Sequence, residues 1–344
     1  MQEGKLFQLQ RGFSYKGREK MQADAVFEGG GVKGIAFIGA LQVMELNGYK
    51  WERLAGTSAG SIIAALLAAG YRSSEILKLM QSLEYRDLLG RTWMNEVPVL
   101  GNVLPIVSKS GIYVNNILEK KLEQWLGHKN IRTFGDLTPG KLSIIASNVS
   151  NGKMVVLPED LHLYGLQASS FPIALAVRMS TSLPFFYQPY LWQTPAHPKP
   201  HYMLDGGLLS NYPIWLFDVE GTPRWPTFGF RLSEKRTYAP HQPIRGPLSL
   251  FKGMFRTMLQ AHDQRHVDSH AENRTIFIPT GNVTTTKFDL TEEDKEFLLH
   301  SGTQAALSFL EGWNFERYKV RFRESSVFSS EGPRQEQDEG FLYH

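Results

Sequence analysis

Two periodicities alternate along the first third of the chain. "DAVFEGGG" (24–31) is a short unbroken apolar run ending in glycines, the pattern of a strand buried on both faces. "VKGIAFIGALQVMELNGY" (32–49) then sets Ile35, Ile38, Leu41, Val43, Met44 and Leu46 on one wide face at helical spacing. The alternation repeats at once. "ERLAGTSAG" predicts a strand and a turn, and "SIIAALLAAG" predicts a helix of small apolar residues closed by Gly70 at its C′ position. "SSEILKLMQSLEY" predicts a third, amphipathic helix with Ser73 or Ser74 as its cap.

From 91 to 111 the rhythm breaks. That stretch is apolar, rich in Pro and Gly, and aperiodic; an apolar loop of this length is expected to cover something, so 93–107 reads as a lid or an acyl-channel wall, or as a plain buried loop. Helix returns in "NNILEKKLEQWLG". "KLSIIASNV" and "KMVVLP" predict two strands paired through "SNG", and "SSFPIALAVRMSTSLP" a helix with Pro172 near its start and Pro184 past its end. "TPAHPKPHY" (194–202) reads as a proline-rich surface loop, followed by strand and turn in "YMLDGGLLSNYP". "TFGFRL" and "TIFIPT" are further strands. "TEEDKEFLLHSGTQAALSFLEGW" is a late helix, with Thr291 as cap and Glu292 and Glu293 in its positive first turn.

Strands alternating with helices predict βαβ units and a mostly parallel sheet, an α/β fold. There is no internal repeat and no linker. The chain divides into an extension (1–23), a core (24–219), strands and helices completing the same domain (220–328), and a polar tail (329–344) too hydrophilic to fold.

Composition narrows the chemistry. A net charge of +3 over 344 residues does not argue for nucleic acid, and is compatible with brief peripheral contact with an anionic membrane. The absence of cysteine excludes disulfides, thiolate catalysis and cysteine-bound zinc, and leans towards a reducing compartment. The first 20 residues have no signal-type apolar core. The longest apolar run, Ile62 to Ala69, falls far short of the ~20 residues of a spanning helix, so a cytoplasmic, soluble or peripheral protein is expected.

Three glycine-marked turns carry the candidate chemistry. Gly29-x-Gly31-x-x-Gly34 follows a strand and opens a helix, which suits either a dinucleotide fingerprint or an oxyanion hole built from main-chain amides. A tight turn with no ligand is the plainer alternative. Gly56-Thr57-Ser58-Ala59-Gly60 is a G-x-S-x-G elbow, in which glycines two residues either side of the serine relieve clashes on a strained turn. Ser58 would otherwise be a helix cap, but capping leaves the flanking glycines unexplained. Asp205-Gly206-Gly207 leaves a strand at a turn, and by itself would be an Asx-turn.

A serine needs a base. None of the ten histidines sits in a sharp motif. His201 lies near Asp205 in sequence but in the proline-rich stretch. His262, His266 and His270 share one helical face, without the carboxylate motif that would argue for a metal. Asp205 itself remains. A dry, apolar site would raise its pKa and strengthen its pull on the serine proton.

In this order, "EGGGVKGIAFIGAL", "GTSAGSIIAALLAAGY", "AVRMSTSLPFFYQPY" and "YMLDGGLLSNYPI" resemble the four motifs of the patatin-like phospholipase family. The resemblance implies a three-layer α/β/α sandwich around a central, mostly parallel sheet, with 24–219 as its catalytic core. It also implies a Ser–Asp dyad of Ser58 and Asp205, and an oxyanion hole at Gly29, Gly30 and Gly31 with Lys33 at the basic position that follows. The N–H of Ala59 joins that hole from general elbow geometry. The expected activity is hydrolysis of a fatty-acyl ester of phospholipase A or lysophospholipase type, with no metal and no cofactor; the oligomeric state is left open.

Two alternatives share the same acyl-enzyme site or its remains: an acyltransferase, and an inactive lipid-binding relative. A remote one is a dinucleotide-binding oxidoreductase built on Gly29, Gly31 and Gly34 with Glu52 as the ribose carboxylate. It leaves the elbow serine without purpose and puts Lys33 in a turn that usually carries small residues. "LFKGMFRTML" (250–259) mixes apolar and basic positions and reads as a core-facing helix, or alternatively as a membrane-surface one.

Overall fold

A computed structural model describes residues 21–83, 115–184, 186–232, 253 and 269–324. Strand β1 (Met21–Phe27) starts three residues ahead of the apolar run that marks it, because Met21 to Ala23 still pair with the next strand, β2 (Tyr49–Thr57). Between them, after a single 3₁₀ turn at Gly31–Gly34, runs helix α1 (Ile35–Leu46). Its residues Ile35 to Leu41 are all buried, so the helix has a wider dry surface than its apolar stripe suggests. Helix α2 (Ala59–Ala68) follows β2 directly and is closed by Gly70 at φ 89°. Helix α3 (Ser73–Gln81) begins on the serine expected to cap it. The amide and hydroxyl of Ser73 go instead to the Glu45 carboxylate, and Glu75 reaches back to the Arg72 amide.

Helix α4 (Asn116–His128), hairpin strands β3 (Leu142–Asn148) and β4 (Lys153–Leu157), and helix α5 (Ile173–Ser180) follow the sequence pattern. The proline-rich stretch does not. Strand β5 (Tyr190–Thr194) turns into β6 (His197–Asp205), so residues expected to be a loop form the start of a strand. Pro198 and Pro200 are tolerated because this exposed end lies beyond the ladder with β3, which holds only Met203 to Asp205. Strands β7 (Thr227–Arg231) and β8 (Thr275–Phe277), the short helix α6 (Ser269–Asn273), α7 (Glu292–Gly312) and α8 (Phe315–Lys319) complete the described chain. Thr291 caps α7, accepting from the amide of Asp294.

The sheet runs β5-β6-β3-β2-β1-β7-β8, with β4 on the other edge of β3. The block from β3 through β8 is parallel; β4, β5 and β6 join antiparallel. Its faces are unlike. Ala25, Phe27 and Leu54 point into the large core that includes α1, α2 and α5. Val26 and Ala55 meet Tyr212, Ile214, Phe217 and Ala271 in a smaller cluster on the other side. The fold is the expected three-layer α/β/α sandwich on a mostly parallel sheet. Among the described residues, no helix is long and apolar enough to cross a membrane. The readings made for 93–107, for 250–259 apart from Gly253, for His262 and His266, and for the tail 329–344 lie outside the described residues.

One detail of the topology places the site. Strands β2 and β6 share the same edge of β3. Strand β2 pairs in parallel with Leu142 to Ile145, and β6 pairs antiparallel with Ala146 to Asn148. Their carboxyl ends therefore run head-on, with Thr57 opposite Ile145 and Asp205 opposite Ala146. The residue after Thr57 is delivered to Asp205 by adjacent positions of a single strand.

Candidate active site

Ser58 stands between β2 and α2 with φ 53° and ψ −126°, a conformation that L-residues rarely adopt. Neighbours hold it there. Its N–H donates to Ser180 Oγ at 2.9 Å, and its carbonyl accepts from the amide of Ser61 at 2.9 Å and from Ser61 Oγ at 2.6 Å. The flanking glycines are required by close approach: a Cβ on Gly56 would run into the Gly60 carbonyl, and one on Gly60 into the carbonyl of Phe27. Ser58 precedes the helix as a cap would, yet its hydroxyl caps no amide. It donates to Asp205 Oδ2 at 2.6 Å.

Asp205 is 2% exposed. Its other oxygen, Oδ1, accepts the N–H of Gly207 at 2.8 Å, and its own N–H donates to the Ser182 carbonyl at 2.9 Å. Burial pushes this carboxyl up to about 7, against the Ser58 hydroxyl and the Gly207 amide, which both pull it down. A carboxylate so placed holds a proton far more readily than one in water. Gly206 lies against the Ile145 carbonyl, which fits the turn tightly onto β3.

The glycine turn after β1 faces the same point. Gly29 N–H donates to the Asn211 carbonyl, Val32 N–H to Thr285 O, and Lys33 N–H to Gly30 O. Among the described residues, no acceptor is assigned to the amides of Gly30, Gly31 and Ala59. Gly31 takes φ 56° with its Cα against the Thr285 carbonyl, a place where no side chain fits. Beneath the turn, buried Glu28 accepts from the amide of Leu232, from Arg231 Nε at 3.4 Å and from Asn211 Nδ2 at 3.3 Å. Burial raises its pKa, while Arg231 and Lys33 oppose the rise.

An apolar crevice of about 80 Å³ opens on Ser58, Ala59, Gly31 and Gly34 and continues between Ile62, Ile63, Met80, Leu118 and Phe288. Leu83 and Leu118 line it from either side of the 84–114 segment, which lies outside the described residues.

The rival assignments that fall within the described residues do not assemble. His201, four residues before Asp205, pairs its Nδ1 with Asn148 Nδ2 at 3.1 Å and packs edge-on against Tyr164; burial lowers its pKa. His270 bonds Tyr318. Among the described residues, no group of three potential metal ligands occurs. Glu52 lies in the first half of β2, towards the opposite end of the sheet from the glycine turn, and accepts from Gln22 Nε2 at 2.9 Å. The dinucleotide reading thus loses its carboxylate. Sequence reasoning passed over Ser180, Ser182, Asn211 and Glu28. All four sit inside the quoted motifs, but a hydrophobic pattern carries no signal for the hydrogen bonds they make.

Fold and site together define an α/β protein organised around a strained, buried serine bonded to a carboxylate. The chain belongs to the patatin-like phospholipase family, a family of lipid hydrolases, whose model matches residues 25–218, more than half its length. It is 42% identical to the uncharacterized protein YqhO of Bacillus subtilis (strain 168) over 86% of this chain and 100% of that one. It is 26% identical to the probable lipid hydrolase 463L of Invertebrate iridescent virus 6 over 59% of this chain and 65% of that one. Among solved structures, VipD from Legionella pneumophila is similar at a TM-score of 0.48 and 19% identity, over 85% of this chain and 67% of that chain. ExoU of Pseudomonas aeruginosa in complex with SpcU is similar at 0.44 and 18%, over 86% and 52%.

Proposed function

We propose that the protein cleaves a fatty-acyl ester of a phospholipid or lysophospholipid through an acyl-enzyme on Ser58. Asp205 takes the Ser58 proton as Oγ attacks the ester carbonyl. The negative charge that develops on the carbonyl oxygen is met by the amides of Gly30, Gly31 and Ala59, while Gly29 and Lys33 shape the turn, their own amides being engaged. The proton passes to the departing alcohol. Water, deprotonated by Asp205, then releases the fatty acid and frees the serine. The acyl chain lies in the apolar crevice that opens on Ser58.

The observation that carries this reading is the 2.6 Å bond from Ser58 to a buried carboxylate whose pKa is raised to about 7. A weak base becomes adequate at neutral pH when water is kept away from it. The test is release of fatty acid from defined phospholipid and lysophospholipid substrates by the wild-type chain and by Ser58→Ala. Release by the wild type alone, together with covalent capture of Ser58 by a fluorophosphonate, is the expected result. Equal release by both would remove Ser58 from the chemistry.

A further inference from the structure

Ser180, the last residue of α5, and Ser182 in the turn that follows it each touch one member of the pair. Ser180 Oγ accepts the Ser58 N–H at 2.9 Å, and two residues on, the Ser182 carbonyl accepts the Asp205 N–H at 2.9 Å. The turn is itself braced. Thr181 Oγ1 donates to the Val177 carbonyl at 2.9 Å and Ser182 Oγ to Arg178 O at 2.8 Å, fastening both to the last turn of the helix. Thr181 also accepts Asn115 Nδ2 at 2.8 Å and lines the apolar crevice. Ser180 and Ser182 are buried.

We infer that Ser180 is a positioning residue for the nucleophile, and that the Ser180–Ser182 turn sets the separation of Ser58 from its base. The inference rests on the Ser58–Asp205 reading proposed above. A serine at φ 53° relaxes unless its surroundings over-determine it. Ser58 is buried, so its amide needs a partner from within the protein, and the Ser180 hydroxyl is that partner. Without it, a buried N–H is left unpaired. The cheapest relief is rotation about the Ser58 backbone, which swings Oγ away from Asp205. Since the same turn also holds the Asp205 amide, both reacting groups are referred to one rigid three-residue piece.

The test uses the full chain and a soluble 4-nitrophenyl acyl ester, with kcat, KM and thermal midpoint measured for each variant. Ser180→Ala is expected to lower kcat by about 10- to 100-fold with KM within twofold, and to slow fluorophosphonate capture of Ser58 in proportion. Ser143→Ala is the matched control. It deletes an equally buried hydroxyl, bonded to Glu159 rather than to either member of the pair, and is expected to lower the midpoint while kcat holds. If Ser180→Ala does not fold, Ser180→Cys carries the test, since it keeps the shape but accepts hydrogen bonds poorly; a kcat at least fivefold down with KM unchanged is expected. Wild-type kcat in whichever Ser180 variant folds overturns the inference and leaves a purely structural role. Activity surviving in Ser58→Ala overturns the underlying reading instead, so the two failures are told apart.

Discussion

The turns after β1 and β2 lie side by side, since Phe27 pairs with Gly56, yet they place their strain differently. After β1 the positive φ falls on Gly31, which adopts it at little steric cost, and the turn carries no side chain from Gly29 to Gly31. After β2 the positive φ falls on Ser58, a residue with a Cβ, at an expense of about 1–3 kcal/mol. Contacts from Ser180 and Ser61 hold it there. Under the proposed mechanism, glycine serves where amides are to face the substrate, and strain is accepted only where the position of a side chain is the product.

The largest expected effect comes from breaking the second turn's chemistry. Asp205→Asn should lower kcat by about 10³-fold or more with the midpoint retained, measured by ester hydrolysis and thermal melting. Gly31→Ala attacks the first turn. It forces a Cβ against the Thr285 carbonyl at a positive φ, and should cost about 10²-fold in kcat/KM, with Ser58 still bonded to Asp205. If it instead costs only stability, the first turn is scaffolding and the contrast between the two turns fails.

Next in size is pH. Below about 7 Asp205 is protonated and takes no proton, so kcat/KM should fall up to tenfold per unit as the solution is acidified. Stability runs the other way. The folded chain holds a proton on Asp205 that the unfolded chain releases near 4. Asp205 therefore contributes stability that is complete below about 4 and lost as pH rises to about 7, roughly 4 kcal/mol at most. Denaturant midpoints at pH 5 and pH 8 should show this share of the slope vanish in Asp205→Asn. The slope from Glu28, Glu45 and Glu159, also raised by burial, should remain. The smallest effect is expected from Asn211→Ala, which frees Gly29 and Glu28 of a side chain but leaves the Asn211 carbonyl in place. A loss in kcat/KM of no more than several-fold would sharpen the comparison by locating the first turn's support in the Asn211 carbonyl; a loss of about a hundredfold would place it in the side chain.

Much of this was legible from periodicity. The β1–α1 and β2–α2 units, the β3–β4 hairpin and the Thr291 cap all follow local rules, and the elbow glycines announced a backbone need at a definite spacing. Three things were not. Strand β6 begins among prolines, because an outer stretch paired on one edge can do without ladder donors. Ser73 enters its helix rather than capping it, since Glu45 offers a better acceptor from another element. The head-on meeting of β2 and β6 along β3 is a property of the sheet's edge, and no local stretch of sequence encodes it. For the same reason Ser180 and Asn211 escaped notice, their partners being 122 and 183 positions away.

The most direct measurement is the rate of fluorophosphonate capture at Ser58 as a function of pH, in the wild type and in Asp205→Asn. The expected result is a wild-type rate that climbs through a single ionisation near 7 and a variant rate that is flat and at least a hundredfold lower. A variant that captures the probe at the wild-type rate, with the ionisation intact, would contradict Asp205 as the group that activates Ser58.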